Sequence, residues 1–336
     1  MLPWFQDKFP VYLAPMAGVS DFVFRNLCKE FGADVMVTEF VSAEGILHRN
    51  DRTREFLHFQ ESQRPVGVQL FGADPERLAL ATREVIDWVS PDFIDINFGC
   101  PVNKVVCKNG GSALLKDQPL LKQVAQAVVK AAHPLPVTAK IRIGWSDASI
   151  NAIENARLLE DSGVQALAIH GRTKEQKYSG QANWEVIYQV ADTIRIPVIG
   201  NGDIASPQDV LRHQKASNIS GVMIGRAAMT SPWIFQETKQ FLTHGTTSPP
   251  PSLKDRWDLI VRHCELSIEN RGCENSAMRF MRGRLMAYSK ALPAARVLRT
   301  AFSTVASLNE LLTIREQHLQ TSHLPEELHP HQLTSP

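Results

Sequence analysis

The sequence predicts an α/β fold, a TIM (β/α)8 barrel followed by a small all-helical C-terminal domain. Two observations predict the barrel. Eight short apolar runs alternate with amphipathic stretches, and nearly every run ends in a polar or glycine-containing cluster. A third predicts the appendage: the alternation stops at a proline-rich segment after residue 242. The 336 residues suffice for a barrel of about 250 residues plus a smaller unit.

The runs lie at 11–14, 35–38, 66–70, 93–96, 137–141, 166–169, 197–199 and 221–224 and are rich in Val and Ile. Apolar almost throughout, they read as strands buried on both faces of a parallel sheet. Between them, 21–31, 75–89, 118–132 and 150–162 place apolar residues at helical spacing, several opening on Asp or Ser. This alternation leaves two architectures, a closed barrel or a doubly wound sheet. The strand ends favour the barrel: polar groups at the C-terminal ends of all eight strands suit a barrel mouth better than one crevice. No G-x-G-x-x-G follows the first strand, which also argues against a dinucleotide-binding sheet.

These patterns divide the chain into a barrel at 1–242, a Thr-, Ser- and Pro-rich linker at 243–252, a helical unit at 253–321 and a loose tail at 322–336. The helical unit should contain three helices, at 253–269, 276–290 and 294–318.

Formal net charge is only +1 with 43% apolar residues, so the chain can bury a core, and any nucleic-acid site must be a local basic patch. Five scattered cysteines without a C-x-x-C pair argue against a disulfide framework or structural zinc and fit a reduced, cytoplasmic protein. No secretory signal and no apolar run of about 18 residues is present, so no membrane role is expected.

The strongest local signal is Asn97-Phe98-Gly99-Cys100-Pro101, at the mouth end of the fourth strand. Cys100 is either a small buried hydrophobe or a functional thiol. With an unperturbed pKa near 8.5 it would serve as a general acid without tuning. Asn201-Gly202-Asp203 and Gly225-Arg226 follow the seventh and eighth strands, where barrels commonly bind phosphate; otherwise these glycines make tight turns. Gln69, Lys140 and His170 are polar residues where strands should be apolar. Lys140 would either pair with Asp95 or Glu39, or face an anion such as a reduced flavin ring. A flavin mononucleotide fits the whole set, as would a phosphorylated sugar.

Pro15-Met16-Ala17-Gly18, Asn97 to Pro101, Gly111-Ser112-Ala113-Leu114, Lys140-Ile141-Arg142, His170-Gly171-Arg172-Thr173, Asn201-Gly202-Asp203 and Met223-Ile224-Gly225-Arg226 occur in this order. Together they resemble the tRNA-dihydrouridine synthase family, closest to its bacterial DusB (NifR3-like) branch. The match runs from Tyr12 to Trp233, with a weaker echo to Leu311. The resemblance implies FMN as cofactor, NADPH or NADH as electron donor, and reduction of a uridine in the tRNA D-loop to 5,6-dihydrouridine. It assigns Pro15, Met16, Ala17, Gln69, Lys140, His170, Asn201, Gly202, Asp203, Gly225 and Arg226 to FMN. It further implies hydride transfer from flavin nitrogen 5 to uracil carbon 6, and makes Cys100 the acid that protonates carbon 5. Asn97 would touch the flavin or the base. No metal is implied, and the protein is expected to act as a monomer.

The resemblance weakens in the helical unit. The related branch carries an Arg-Lys-His run in its middle helix where this chain has Met281-Arg282-Gly283-Arg284, which leaves the uridine modified open. Residues 271–300 still hold seven Lys or Arg against one acid. Arg279 and Arg282 here, with Arg172, Lys174 and Lys177 after the sixth strand, are the expected tRNA phosphate contacts. Two rival readings are a flavoprotein acting on a free pyrimidine or other small molecule, and an idle barrel serving as an RNA-binding module.

Overall fold

The computed structural model describes residues 2–6, 8–49, 51–107 and 110–322. It forms two compact units, the first running to Ala228 and continuing over Pro232–Ser248, the second comprising Met229–Ser231 and the chain from Pro249.

In the first unit the strands are β1 (Val11–Leu13), β2 (Met36–Val37), β3 (Val41–Ser42), β4 (Val66–Phe71), β5 (Phe93–Phe98), β6 (Val137–Arg142), β7 (Ala166–His170), β8 (Val198–Asn201) and β9 (Gly221–Ile224). All pair in parallel, in the order β1-β9-β8-β7-β6-β5-β4-β2. A parallel bridge between Tyr12 and Val35 joins the two ends of this order and closes the barrel. The short β3, absent from the sequence expectation, pairs with the end of β4 as an accessory. The second barrel strand, expected at 35–38, keeps regular pairing only at Met36–Val37. Beyond it the Thr38 hydroxyl accepts from the Gln69 backbone N–H.

Strand alternation sends one residue set outward and the other into the barrel. Val68, Leu70, Ile94, Ile96, Ala139, Ile141, Leu167 and Ile169 belong to the core shared with the surrounding helices, whereas Tyr12, Val35, Phe93, Ala166, Ala168, Ile199 and Met223 form a separate inner cluster. Gly67 leaves the room that Phe93 fills, since a Cβ there would lie 2.2 Å from its ring. A 3-10 turn, Pro3–Phe5, plugs the bottom through Trp4, whose indole N–H donates to the Tyr12 hydroxyl at 2.6 Å. The inner face turns polar further along: Gln69 pairs in register with Asp95, Asp95 with Thr138, Asn97 with Lys140, and His170 with Asn201. Polarity therefore rises along the barrel axis towards the C-terminal ends of the strands.

The surrounding helices begin where the capping signals stand. Asp21 caps Phe22–Glu30, Asp74 caps Pro75–Val89, Asp117 caps Gln118–Ala132, and Ser206 with Asp209 forms a capping box for Pro207–Ala216. The last helix of this region, Ile234–His244, ends on Gly245 in the left-handed conformation.

In the second unit, Leu253–Arg271 and Glu274–Tyr288 lie close to the expected helices, but the third expected helix is two, Ala295–Thr304 and Leu308–Ser322. The break has a local cause. The Ser307 hydroxyl accepts from Glu310 N, and the Glu310 carboxylate accepts from Ala306 N at 2.8 Å, which starts a new helix. Among the described residues no helix is long and apolar enough to cross a membrane. The tail expected at 322–336 lies outside the described residues apart from Ser322.

Candidate active site

At the mouth of the barrel, three side chains form one hydrogen-bonded chain from floor to rim. The Gln69 amide donates to Asp95 Oδ2 at 2.6 Å, and Gln69 Oε1 accepts from Asn97 Nδ2 at 2.8 Å. Asn97 Oδ1 then accepts from the backbone N–H groups of Gly99 and Cys100, at 3.0 and 2.8 Å. The turn carrying Cys100 is thus fixed by a side chain of the strand that precedes it.

A second hold comes from the Gly111-Ser112-Ala113-Leu114 motif. The Cys100 carbonyl accepts from both Ser112 N and Ser112 Oγ, the latter at 2.8 Å. Gly111 sits at φ +58°, and a Cβ there would lie 2.9 Å from the Cys100 carbonyl oxygen. Gly111→Ala should therefore cost about 1–3 kcal/mol of stability, from a left-handed alanine and a backbone collision. The measurement is the chemical-denaturation midpoint at constant slope, beside Gly245→Ala, where no atom lies within 4 Å and the loss should be smaller.

Cys100 is buried, and burial raises its thiol above the ordinary value against the lowering effects of the Val102 backbone N–H, Arg142 and Lys140. At neutral pH it is a protonated thiol, which is the state required of an acid.

Across the mouth the charges are cationic. Lys140 Nζ donates to Asn201 Oδ1 at 3.2 Å, while Asn201 Nδ2 donates to the Met223 carbonyl at 2.7 Å. Of the alternatives offered for Lys140, an ion pair with Asp95 does not form: Asp95 accepts from Gln69 and Thr138. Burial, with repulsion from Arg142, lowers Lys140 to about 8. His170 is pushed far below its ordinary value, first by burial and then by Lys140, Arg142, Arg172 and Arg226, so it is neutral.

The phosphate-type end is built on Asp203. This residue, itself at φ +53°, places its carboxylate 2.7 Å from Arg226 and 2.8 Å from Arg172, and accepts from Ala182 N at 2.7 Å. Against the opposing effect of burial, the Ala182 N–H and the two arginines hold its carboxyl below the usual range. Gly202 needs its φ of +128°, and a Cβ there would lie 2.6 Å from Ala182 Cβ and 3.2 Å from the His170 ring. The loop is backed by Trp184, whose indole N–H donates to the Gly202 carbonyl at 3.0 Å and whose ring stacks on His213 at 3.5 Å. A cavity of about 580 Å³ opens here, lined by Arg172, Tyr178, Trp184, Asp203, His213 and Arg226. The Pro15-Met16-Ala17 turn is adjacent, with Met16 Sδ 3.5 Å from a Cβ built on Gly225.

The barrel residues singled out from sequence lie at the C-terminal ends of the strands, and two of the expected tRNA contacts make bonds within the protein. Arg172 is 2% exposed and donates to the carbonyls of Ser179 and Gly180 as well as to Asp203. It braces the phosphate-type end. Arg282 donates to the carbonyls of Val305 and Thr304 at 2.9 Å each. It ties the helix Glu274–Tyr288 to the end of Ala295–Thr304, whereas Arg279 is exposed.

Arg142, given no role of its own in the sequence analysis, is a central brace of the mouth. Its buried guanidinium donates to the carbonyls of Gly99, Thr173 and Lys177 at 2.8–2.9 Å, and burial lowers its pKa to about 10. Its signals in the sequence are its place in the Lys140-Ile141-Arg142 motif and a second cation two residues after Lys140, on the same face of one strand.

A flavin mononucleotide suits this donor set. Lys140, Arg142, Arg172 and Arg226 act together on His170, and of the mouth carboxylates described here only Asp203 sits directly against the arginines. Buried Arg172 also keeps one nitrogen, Nη1, without a protein partner. Such an excess of donors is built for an anion.

The family model for dihydrouridine synthases matches residues 12–324. The chain is 38% identical over 292 residues to a tRNA-dihydrouridine synthase B of Pseudomonas aeruginosa, covering 87% of each chain. It is 43% identical over 258 residues to a protein of the same name from Xanthomonas campestris, 76% of each. A probable tRNA-dihydrouridine synthase of Rickettsia bellii is 35% identical over 91% of this chain and 93% of its own. Among solved structures, TcOYE with pHBA superposes with a TM-score of 0.51 at 10% identity, over 72% of this chain and 91% of that one. Histamine dehydrogenase from a Rhizobium species gives 0.50 at 12%, over 70% and 45%. These two likenesses concern the barrel fold alone.

Proposed function

Because the chain belongs to the dihydrouridine synthase family, we propose that it reduces a D-loop uridine of tRNA to 5,6-dihydrouridine at the barrel mouth, with Cys100 as proton donor. The observation that carries this reading is buried Cys100, whose thiol is kept protonated by burial and whose backbone is held by Asn97 and Ser112, at a mouth where Lys140, Arg142, Arg172 and Arg226 gather. Overall, uridine, NADPH and a proton give dihydrouridine and NADP+.

FMN is the cofactor that fits. The backbone of Gly202, Asp203 and Gly225 and the Arg226 side chain would hold its phosphate, with Asp203 as a positioning residue for both arginines. Pro15, Met16, Ala17, Gln69, Lys140, His170 and Asn201 would surround the ring. When bound, the flavin supplies a hydride to uracil carbon 6. Lys140 would balance the negative charge of the reduced ring, neutral His170 would donate a hydrogen bond, and Asn97 would orient the base. Cys100 would pass its proton to carbon 5, and the resulting thiolate would sit in the field of Arg142 and Lys140. Exposed basic residues of the helical unit would hold tRNA phosphates. Free cysteines throughout suit the cytoplasm, and the protein would act as a monomer without a metal.

The test uses tRNA from a strain lacking dihydrouridine. With NADPH, the purified flavin-loaded protein should form dihydrouridine at a position mapped by primer extension, faster than with NADH. A flavin-loaded protein that oxidises NADPH but reduces only free pyrimidines, or that binds tRNA without reducing it, would replace this reading.

The Lys140 shift predicts how the potential of bound FMN depends on pH. In the free protein Lys140 sits near pKa 8; a reduced ring is anionic where an oxidised one is neutral, so reduction must raise that value and take up one further proton above pH 8. The midpoint potential of the bound flavin should therefore fall more steeply with pH above 8 than below it, by about 30 mV more per unit at most, read by dye-coupled redox titration. An unchanged slope up to pH 9.5 would separate Lys140 from the ring.

A further inference from the structure

Asp95 lies one layer below the reacting end of the barrel, 4% exposed, and no step above uses it. Burial raises its carboxyl above the ordinary value, against the Thr138 hydroxyl, the Gln69 amide and Lys140, which favour the charged form; as a carboxylate it accepts from the Thr138 hydroxyl on Oδ1 and from the Gln69 amide at 2.6 Å on Oδ2. That arrangement leaves Gln69 one orientation, with Oε1 towards Asn97 Nδ2, and leaves Asn97 one orientation, with Oδ1 towards the N–H groups of Gly99 and Cys100. Two side-chain amides, each of which could otherwise turn over at little cost, are thereby locked in sequence.

We propose that Asp95 is a positioning residue: as the terminal acceptor of the Gln69–Asn97 relay, it fixes the turn that presents Cys100 to the substrate. An ionised carboxylate suits this place because it cannot turn over to offer a donor, whereas any buried amide in the chain can be reversed. Without the acceptor, the Gln69 N–H2 is stranded in the barrel. It regains a partner only by rotating and breaking the Asn97 contact, which frees the Asn97 amide from the Cys100 turn. The same carboxylate also opposes the lowering of Lys140, so both the acid turn and the cation beside it lean on one buried group.

The proposal rests on the reading of Cys100 as the proton donor for its catalytic meaning only; its geometry is testable on the apoprotein. The readout is the rate of iodoacetamide alkylation at Cys100 by peptide mass spectrometry, relative to exposed Cys107 in the same molecule. Asp95→Leu should raise the Cys100-to-Cys107 ratio about tenfold, the scale of releasing one or two hydrogen bonds that hold a local turn. Asp95→Ser, too short to reach Gln69, should do the same and serves if the leucine does not fold. Asp95→Asn, which can still offer a carbonyl to Gln69, should stay within about twofold of wild type. Thr138→Val removes the other hydrogen bond to Asp95 without touching the relay and should also stay near wild type. An unchanged ratio in the leucine or serine variant would overturn the proposal, as would failure of the asparagine to restore it. Equal acceleration by Thr138→Val would show general loosening instead. None of these readings needs flavin or tRNA, so failure of the proposed reaction would show up separately, as absent dihydrouridine with the ratios intact.

Discussion

Cys100→Ala should leave NADPH-driven reduction of the bound flavin near its normal rate while slowing uridine reduction by about 100-fold or more, the usual scale for a lost general acid. The two half-reactions separate because the Asn97 and Ser112 contacts hold the Cys100 backbone, so loss of the thiol leaves the turn and the Asp203–Arg226 pair in place. Stopped-flow absorbance follows the first, and dihydrouridine formation under single turnover follows the second. Because burial raises the thiol, its acid form persists through neutral pH. Its contribution to the wild-type rate should be lost only as pH climbs beyond the ordinary thiol range near 8.5. Equal rates of uridine reduction in both proteins would remove Cys100 from the chemistry.

Reversing Arg279, Arg296 and Arg299 to Glu together should weaken tRNA binding by about 100-fold at physiological salt and flatten its salt dependence, since each phosphate contact contributes about one unit of slope. These three are exposed and lie in the segment where basic residues outnumber acids seven to one. A uridine must leave its stack to be reduced, at a cost of a few kcal/mol, and a net charge of +1 cannot offset that. FMN content should not change. Arg282→Glu is the contrasting variant: it loses the hydrogen bonds to Val305 and Thr304, so its main effect should be on stability. Filter binding across a salt series, with a melting curve for each variant, distinguishes the two. Unaltered tRNA affinity in the triple variant would move the RNA surface elsewhere.

What the sequence made legible follows from the range of the forces involved. Long apolar strands such as Val66–Phe71 and Val137–Arg142 announce themselves because both faces are buried. Helix starts at Asp21 and Asp74 announce themselves through local caps. Val41–Ser42 is too short to show a period. The break before Leu308 was written in Ser307 and Glu310 but hidden by continuing helical spacing. In the site, glycines and lone polar residues at strand ends marked Cys100, Lys140, His170 and the Asn201–Asp203 turn. Asp95, Thr138 and Arg142 could not be paired with their partners, because strand register decides who meets whom across a sheet. The partners of Arg172 and Arg282 were hidden for a related reason: basic residues in loops or on helices are exposed by default, and the backbone carbonyls that capture these two leave no trace in composition.

The grip of Arg142 has a mechanical consequence. One guanidinium serves Gly99, beside Cys100, together with Thr173 and Lys177 in the loop after β7. Neither loop can swing away alone without stranding a buried charge whose other acceptors lie on the opposite side. The two segments should therefore behave as a single body. Amide hydrogen exchange in peptides covering Gly99–Cys100 and Thr173–Lys177 should rise and fall together with temperature, as one opening event seen from two places.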